Sequence, residues 1–322
     1  MSGPEGGGLR IRRIVFVLLL FVACYLGFAL WSGIGKLAVG LARFEWWTFG
    51  AAFALAFGNY VLRFFKWQFY LGRLGVSVGA VDSFLTFLSG FVLTISPGKV
   101  GEVFKSIVLF QTHGVPIPKT APIVIAERVT DMIGIIVLIV VGSLGFRGGI
   151  LPAAVGTVLV VGLLGVIASR RASFAVIALI ARLPGPFRRI GPKLEEAYES
   201  LAMLVAPRNL WWPTLLSIAA WSLECCALAV ILHGFAANVP LMLSVFFYAT
   251  STLAGAVILT PGGLGVTEAG LREQMMGLGH VDEATSTAAM MLVRFATLWF
   301  AVLVGFVALA ILKRRHPGLL SV

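Results

Sequence analysis

Charge is what this sequence has least of. Only 12% of its 322 residues are Asp, Glu, Lys or Arg, whereas 59% are apolar. With a mean hydropathy of +0.98, the chain holds more apolar side chain than a soluble core of this size hides, which excludes the water-soluble classes. Cysteine is also scarce. Cys24, Cys225 and Cys226 all lie inside apolar runs, and their odd number argues against a disulfide framework or a metal site. The four histidines, His113, His233, His280 and His316, form no HExxH spacing. There is no P-loop and no GxGxxG, and the run Gly262-Gly263-Leu264-Gly265 follows no soluble strand. No cofactor is therefore expected. Ten-residue segments of alternating hydrophobicity are lacking as well, which excludes a transmembrane β-barrel. The net charge is +11, but the basic residues gather at the ends of apolar runs instead of forming one stripe. Nucleic acid is thus not an expected partner. Attraction to anionic lipid headgroups is, at about 1 kcal/mol per basic residue near the surface.

What is present is a series of apolar runs. A crossing helix needs about 20 predominantly apolar residues, and full spans are expected at 14–31, 46–71, 121–145, 150–168, 210–233 and 284–312. The first follows Arg10, Arg12 and Arg13 but precedes no small-x-small cleavage site, so it reads as a retained anchor. Basic residues mark the cytoplasmic side. Arg10, Arg12 and Arg13, then Arg73, the cluster from Arg170 to Lys193, and finally Lys313, Arg314 and Arg315 all belong inside. Both termini are then cytoplasmic. An even number of crossings must separate residue 75 from residue 170, and spans 121–145 and 150–168 supply it. The apolar stretch near 83–111 therefore enters and leaves on one face, and its apolar arm, about 18 Å as a helix, falls short of the ~30 Å hydrocarbon. The same count makes 241–277 a hairpin entering from the outer face.

The two hairpin tips are alike. Ser96-Pro97-Gly98-Lys99-Val100-Gly101-Glu102 aligns with Thr260-Pro261-Gly262-Gly263-Leu264-Gly265, followed by Glu268. The prolines are 164 residues apart, and Arg128 and Arg294, each early in the next span, are 166 apart. This predicts an internal repeat, inverted by the charge count, as in transporters with broken helices at the midplane. The expected fold class is an all-α polytopic membrane protein with about six full transmembrane helices plus two re-entrant helical hairpins. Its parts are a cytoplasmic tail (1–13), a first membrane half (14–171), a cytoplasmic or interfacial connection (172–209), a second half (210–312) and a second tail (313–322). Within the connection, 187–205 shows helical apolar spacing and reads as an interfacial amphipathic helix.

Ser96 and Thr260 suit helix N-caps, Pro97 and Pro261 the first helical position, and the glycines admit close approach of a ligand. Each tip would then open a half-helix whose free N–H groups favour an anion such as phosphate. Glu127, Arg128 and Asp131 open the third span and Arg294 lies in the last. Such charges cost roughly 2.5–3.5 kcal/mol each at a helix centre, so they should face a cavity or one another. The candidate substrate-binding set is Ser96, Pro97, Gly98, Gly101, Glu102, Lys105, Glu127, Arg128, Asp131, Thr260, Pro261, Gly262, Gly263, Gly265, Glu268 and Arg294. Arg63 and Lys66 lie within reach of the cytoplasmic interface, where snorkelling accounts for them. Glu224 is an acid in an apolar span, with cargo, proton or bundle partner all open.

The motifs at 96–102, Glu127-Arg128 with Asp131, and Thr260-Pro-Gly-Gly-Leu-Gly-Val-Thr-Glu268 resemble those of the lysylphosphatidylglycerol synthase transmembrane region, a flippase-like membrane family. The resemblance spans about residues 10 to 315. In that family the membrane region stands alone or precedes a soluble aminoacyl-transferase domain, and it is associated with moving aminoacylated or glycosylated lipids between leaflets. The sequence ends at Val322 without such a domain, so synthase activity is not expected of it. The resemblance implies a bacterial or archaeal cell membrane and a translocator for an aminoacylated, glycosylated or polyprenyl-type lipid. Its expected partners are anionic or phosphate-bearing lipids and a lipid-modifying or glycan-biosynthetic enzyme. The rival readings are a membrane enzyme acting on a lipid phosphate, with Glu102, Glu127 or Asp131 as acid or base, and a non-transporting partner of such an enzyme.

Overall fold

A computed structural model describes residues 44–96, 101–144, 191–258 and 260–320, with isolated positions at 41, 151, 154, 155, 157, 158, 161 and 162. The expected span 14–31, the tail 1–13, most of 150–168, and Pro97 and Gly98 lie outside the described residues. Helices and tight turns account for the regular structure, and no strand occurs among the described residues.

Two long helices form the backbone of the bundle. Helix α1 (Trp46–Arg73) has 28 residues and stops where Gly75 turns left-handed at φ +64°. It pairs antiparallel with a helix of equal length at 207–234. Glu45 N–H donates to the Gly234 carbonyl (3.0 Å), and Asn59 Nδ2 donates to the Ala220 carbonyl (2.8 Å). A Cβ at Gly234 would sit on Phe44 and Thr48, so only glycine allows this approach.

The first broken element follows α1. Helix α2 (Ala80–Ser89) tightens into a 3-10 turn, Gly90–Leu93, and the chain returns as α3 (Phe104–His113). Each arm's α-helix has ten residues, about 15 Å, too short to cross ~30 Å of hydrocarbon. After a helical turn at Ile117–Thr120, helix α4 (Pro122–Ser143) runs 22 residues, and its charged residues occupy its first half. Helix α5 (Gly191–Leu204) falls within the expected amphipathic segment and buries Tyr198 and Leu204. Helix α6 (Pro207–Gly234) is the antiparallel partner of α1.

The second broken element pairs α7 (Leu241–Val257) with α8 (Val266–Gly277) around a 3-10 turn, Pro261–Gly263. Its arms lock through Gln274, whose amide donates to Ser251 (2.9 Å) and accepts from Thr250 (2.9 Å). The chain then runs as α9 (Glu283–Arg294), a π-turn at Phe295–Trp299, and α10 (Phe300–Arg315). In α10 the exposed Leu303, Val307 and Ile311 form one stripe, while Ala301, Gly305, Ala308 and Leu312 turn inward. Small residues inside and large ones outside is the pattern of a helix packed in lipid. Among the described residues three stretches, Trp46–Arg73, Pro207–Gly234 and Glu283–Arg315, are long and apolar enough to cross a membrane.

The open ends of the two broken elements lie apart. Val115, just after α3, belongs to the apolar cluster that contains Leu74 and Leu319, whereas Val281, just after α8, belongs to the one that contains Phe44. Those clusters hold opposite ends of α1. At the first end Asp82 accepts from Arg315 Nε (2.7 Å) and faces His316 Nε2 (3.2 Å), tying α2 to the last helix. Partial burial works to raise the Asp82 carboxyl, but the bonds from Arg315 and His316 outweigh it and hold its pKa below the ordinary carboxylate value.

Candidate functional site

The tips of the two broken elements meet. A Cβ on Gly262 would lie 3.4 Å from the Cα of Ile95, and Ile95, Leu264, Leu298 and Val302 share a small apolar cluster. Beside this junction lies a cavity of about 270 Å³ walled by α1, α4, α6, α7, α9 and the π-turn. Three guanidinium groups line it, from Arg63, Arg128 and Arg294, together with Asp131 and Glu224.

Each tip is braced by an acid and an arginine at the same spacing. Glu102 accepts from Arg128 (3.0 Å), and Glu268 from Arg294 (2.5 Å), the partners being 26 residues apart in both cases. Arg294 also donates to the Gly262 carbonyl (2.8 Å), so one side chain holds both the second tip and the start of α8. The surroundings of the first tip carry additional charge. Arg63 lies 3.6 Å from Glu102; Arg128 lies 3.2 Å from Asp131; Lys66 donates to Asp131 (2.5 Å) and Ser217 (2.8 Å). Behind these, Lys105 pairs with Glu127 (2.5 Å) and packs over the ring of Trp67.

The polar tips of two tyrosines complete the lining. Tyr248 donates to Glu224 (2.7 Å), and Tyr60 donates to the Thr297 carbonyl (3.0 Å) within the π-turn, where the wider winding changes the carbonyl pattern. Five cations (Arg63, Lys66, Lys105, Arg128, Arg294) and five acids (Glu102, Glu127, Asp131, Glu224, Glu268) thus stand in or behind the cavity. All but Arg128 are buried, and its side chain is 22% exposed. In a low-dielectric bundle such a balanced set is tolerable only when paired, and a group of mixed or negative charge can exchange into it.

Of the residues expected to bind substrate, Arg128, Asp131, Thr260, Gly262, Gly263 and Arg294 line the cavity. Glu102, Lys105, Glu127 and Glu268 stand behind it as ion-pair partners. Ser96, Gly101, Pro261 and Gly265 belong to the tips but not to the lining.

Two expectations need correction. Arg63 and Lys66 do not snorkel: their relative exposures are 5% and 0%, and both turn into the bundle toward Glu102 and Asp131. A paired interior carboxylate outcompetes the interface for a cation that sits on the inward face of α1. The capping reading is also revised. Thr260 and Pro261 open only the 3-10 turn, and the threonine hydroxyl caps nothing. Gly262, Gly263 and Gly265 all take positive φ, so α8 starts at Val266, where Glu268 accepts the Gly265 N–H (2.6 Å). Ser96 Oγ accepts from Gly101 N–H (2.6 Å), but α3 itself starts at Phe104. The start of α8 thus already holds an internal carboxylate, and the arginines are the groups that face the cavity. Tyr60, Tyr248 and Thr297 were not singled out from sequence; a polar-tipped ring within an apolar span was the signal available.

Comparison with known proteins finds similarity to membrane proteins and a glycosyltransferase of archaea. It is 24% identical over 232 residues to a UPF0104 membrane protein of Methanocaldococcus jannaschii, covering 70% of this chain and 95% of that one. A UPF0104 membrane protein of Methanothermobacter thermautotrophicus is 24% identical over 268 residues, 76% of this chain and 79% of its own length. The glycosyltransferase AglD of Haloferax volcanii is 24% identical over 261 residues, 69% of this chain but only 41% of AglD. The model of the lysylphosphatidylglycerol synthase transmembrane region matches residues 14–305, and the chain belongs to that family.

Proposed function

We propose that this protein is a lipid translocator that moves a polar, phosphate-bearing headgroup between leaflets. The observation that carries the reading is the arginine-lined cavity beside the meeting point of two broken helices. Half-spans that meet at depth are characteristic of transporters, where irregular backbone lines a cavity. Arg128 and Arg294 approach from the two copies and supply the charge for a phosphate, while Glu224 and the tyrosines offer acceptors and donors for the rest of a headgroup. In this reading no covalent step occurs. The two copies form an inverted pair, and rocking one against the other alternates access.

The test is leaflet exchange of a fluorescent phosphatidylglycerol in proteoliposomes. Purified protein is expected to accelerate it, and Arg128→Ala and Arg294→Ala are each expected to lose at least tenfold while still eluting as folded protein. Normal exchange in both variants would remove the assignment. The match to part of AglD favours a second reading, in which the membrane unit serves a lipid-linked glycan enzyme without transporting. Absence of exchange together with stable co-purification of such an enzyme would select it.

A further inference from the structure

Helices α4 and α7 run antiparallel and touch backbone to backbone at one end: a Cβ on Gly142 would lie 2.8 Å from the Phe246 nitrogen and 2.9 Å from the Met242 carbonyl. Continued at equal rise from that contact, the pair sets Met132 opposite Ala256, about 15 Å and ten residues further along. Both line the cavity, as do Arg128 and Thr260. Apolar side chains flank that end. Ala256 is exposed, and Val257 and Ile258 on one rim and Ile125 on the other are 45%, 59% and 47% exposed. Ile125, Arg128 and Met132 follow one another along one face of α4 at helical spacing. The sequence of chemistry from outside to inside is therefore apolar rim, then the partly exposed Arg128, then the buried charges of Arg63, Arg294 and Glu224.

We infer that the gap between α4 and α7 is a lateral portal through which an anionic membrane lipid enters, its headgroup in the cavity and its hydrocarbon chains lying along Ile125, Val257 and Ile258. Charge complementarity selects the headgroup: the arginine at the mouth meets the phosphate first, and the two behind it receive it. The apolar rim selects a lipid over a soluble anion, because a free phosphate gains nothing from three exposed aliphatic side chains, whereas acyl chains need not leave hydrocarbon at any stage of entry. The inference rests on the translocator reading but makes a claim of its own about where the lipid sits.

Two measurements separate the two claims. In the first, phosphatidylglycerol carrying a photoactivatable diazirine in its acyl chain is incorporated in vesicles with the purified protein, irradiated, and the adducts are mapped. Adducts are expected at Met132, Ala256 or Ile258 at least tenfold above those on the Leu303–Val307 stripe, and Arg128→Ala is expected to lower the portal adducts on the order of tenfold, the loss of one charge-assisted contact. An even distribution over both faces, or indifference to Arg128→Ala, overturns the portal whether or not the protein transports. Thermal stabilisation by inorganic phosphate alone, without portal adducts, would assign the cavity to a soluble anion and overturn it as well. In the second measurement, Met132→Cys and Ala256→Cys are combined in a chain whose native cysteines are replaced, and bridged with a reducible bis-maleimide. Lipid exchange is expected to stop on bridging and return on reduction. Unchanged exchange in the bridged protein overturns the portal and leaves the translocator standing; absence of exchange in the unmodified protein, with portal adducts intact, leaves the portal standing and overturns the translocator.

Discussion

Lys66 has no exposed surface and reaches three oxygens, those of Asp131, Ser217 and, at 3.4 Å, Thr130. Removing one partner of a buried ion pair leaves a charge without compensation, which costs about 3–5 kcal/mol, whereas replacing both with apolar groups of similar volume is often neutral. Lys66→Met is therefore expected to lower the thermal unfolding midpoint in detergent sharply, and Lys66→Met with Asp131→Leu to recover most of the loss. A double variant no more stable than Lys66→Met would show that Lys66 acts through something other than this pair. Sequence alone misplaced this residue, and the reason is physical. Distance from the span end is readable from numbering, but the direction of a side chain around the helix depends on which face the neighbouring helix takes. Arg128, Arg294 and Asp131 were legible because charges set within an apolar span are costly unless they face a cavity or one another. Glu224 stayed open for a related reason: its acceptor role depends on Tyr248, 24 residues away on another helix.

At the scale of elements, the broken helices and their short arms were visible in the interrupted apolar runs, but the chemistry of their tips was not. Three glycines at positive φ in 262–265 delay the α-helix by several residues, and nothing in composition says whether a Pro-Gly-Gly run starts a helix or a turn. A cleaner helix start lies at Asp282, which accepts the Thr285 N–H at 3.0 Å to cap α9. The Thr285 backbone and side chain favour the ionised form, and though burial opposes them slightly, the Asp282 pKa lies below the ordinary carboxylate value. A depressed folded-state pKa means that the cap's stabilisation is full above the unfolded value of about 3.9 and is lost as pH falls through the folded one. Asp282→Ala is expected to cost about 1 kcal/mol at neutral pH, and the difference from the parent protein should shrink on acidification below pH ~4. A difference that persists in acid would show that Asp282 does not stabilise α9 as a carboxylate. Gly142 gives the packing counterpart. A methyl there meets the backbone of Phe246 and Met242, which cannot rotate away, so Gly142→Ala should destabilise by roughly 1–3 kcal/mol despite the better helix propensity of alanine. Equal or higher unfolding temperature in that variant would mean that α4 and α7 are not held at that contact.

For the whole molecule, two pairs of exposed tryptophans set the frame. Trp46 and Trp47 open α1, with Trp47 6.4 Å from His233 at the far end of α6, and Trp211 and Trp212 lie near the beginning of α6. From residue 212 to 233 an α-helix rises about 32 Å, close to the ~30 Å hydrocarbon thickness, and tryptophans favour both interfaces. The antiparallel α1–α6 pair thus carries one aromatic pair at each boundary, which orients every other element against it. The segment after α3 clusters with the Leu74 end of α1, and the segment after α8 with the Phe44 end. With Arg73 at the Leu74 end and Arg208 at the Trp211 end, the basic-residue rule leads to the expectation that these two ends are cytoplasmic. In a cysteine-replaced chain, Leu278→Cys is therefore expected to react with an impermeant maleimide on intact cells, and Lys119→Cys only after the membrane is opened. If both react from one side, the two half-spans enter together, Arg128 and Arg294 do not approach the cavity from opposite faces, and the proposed alternating access loses its geometric basis.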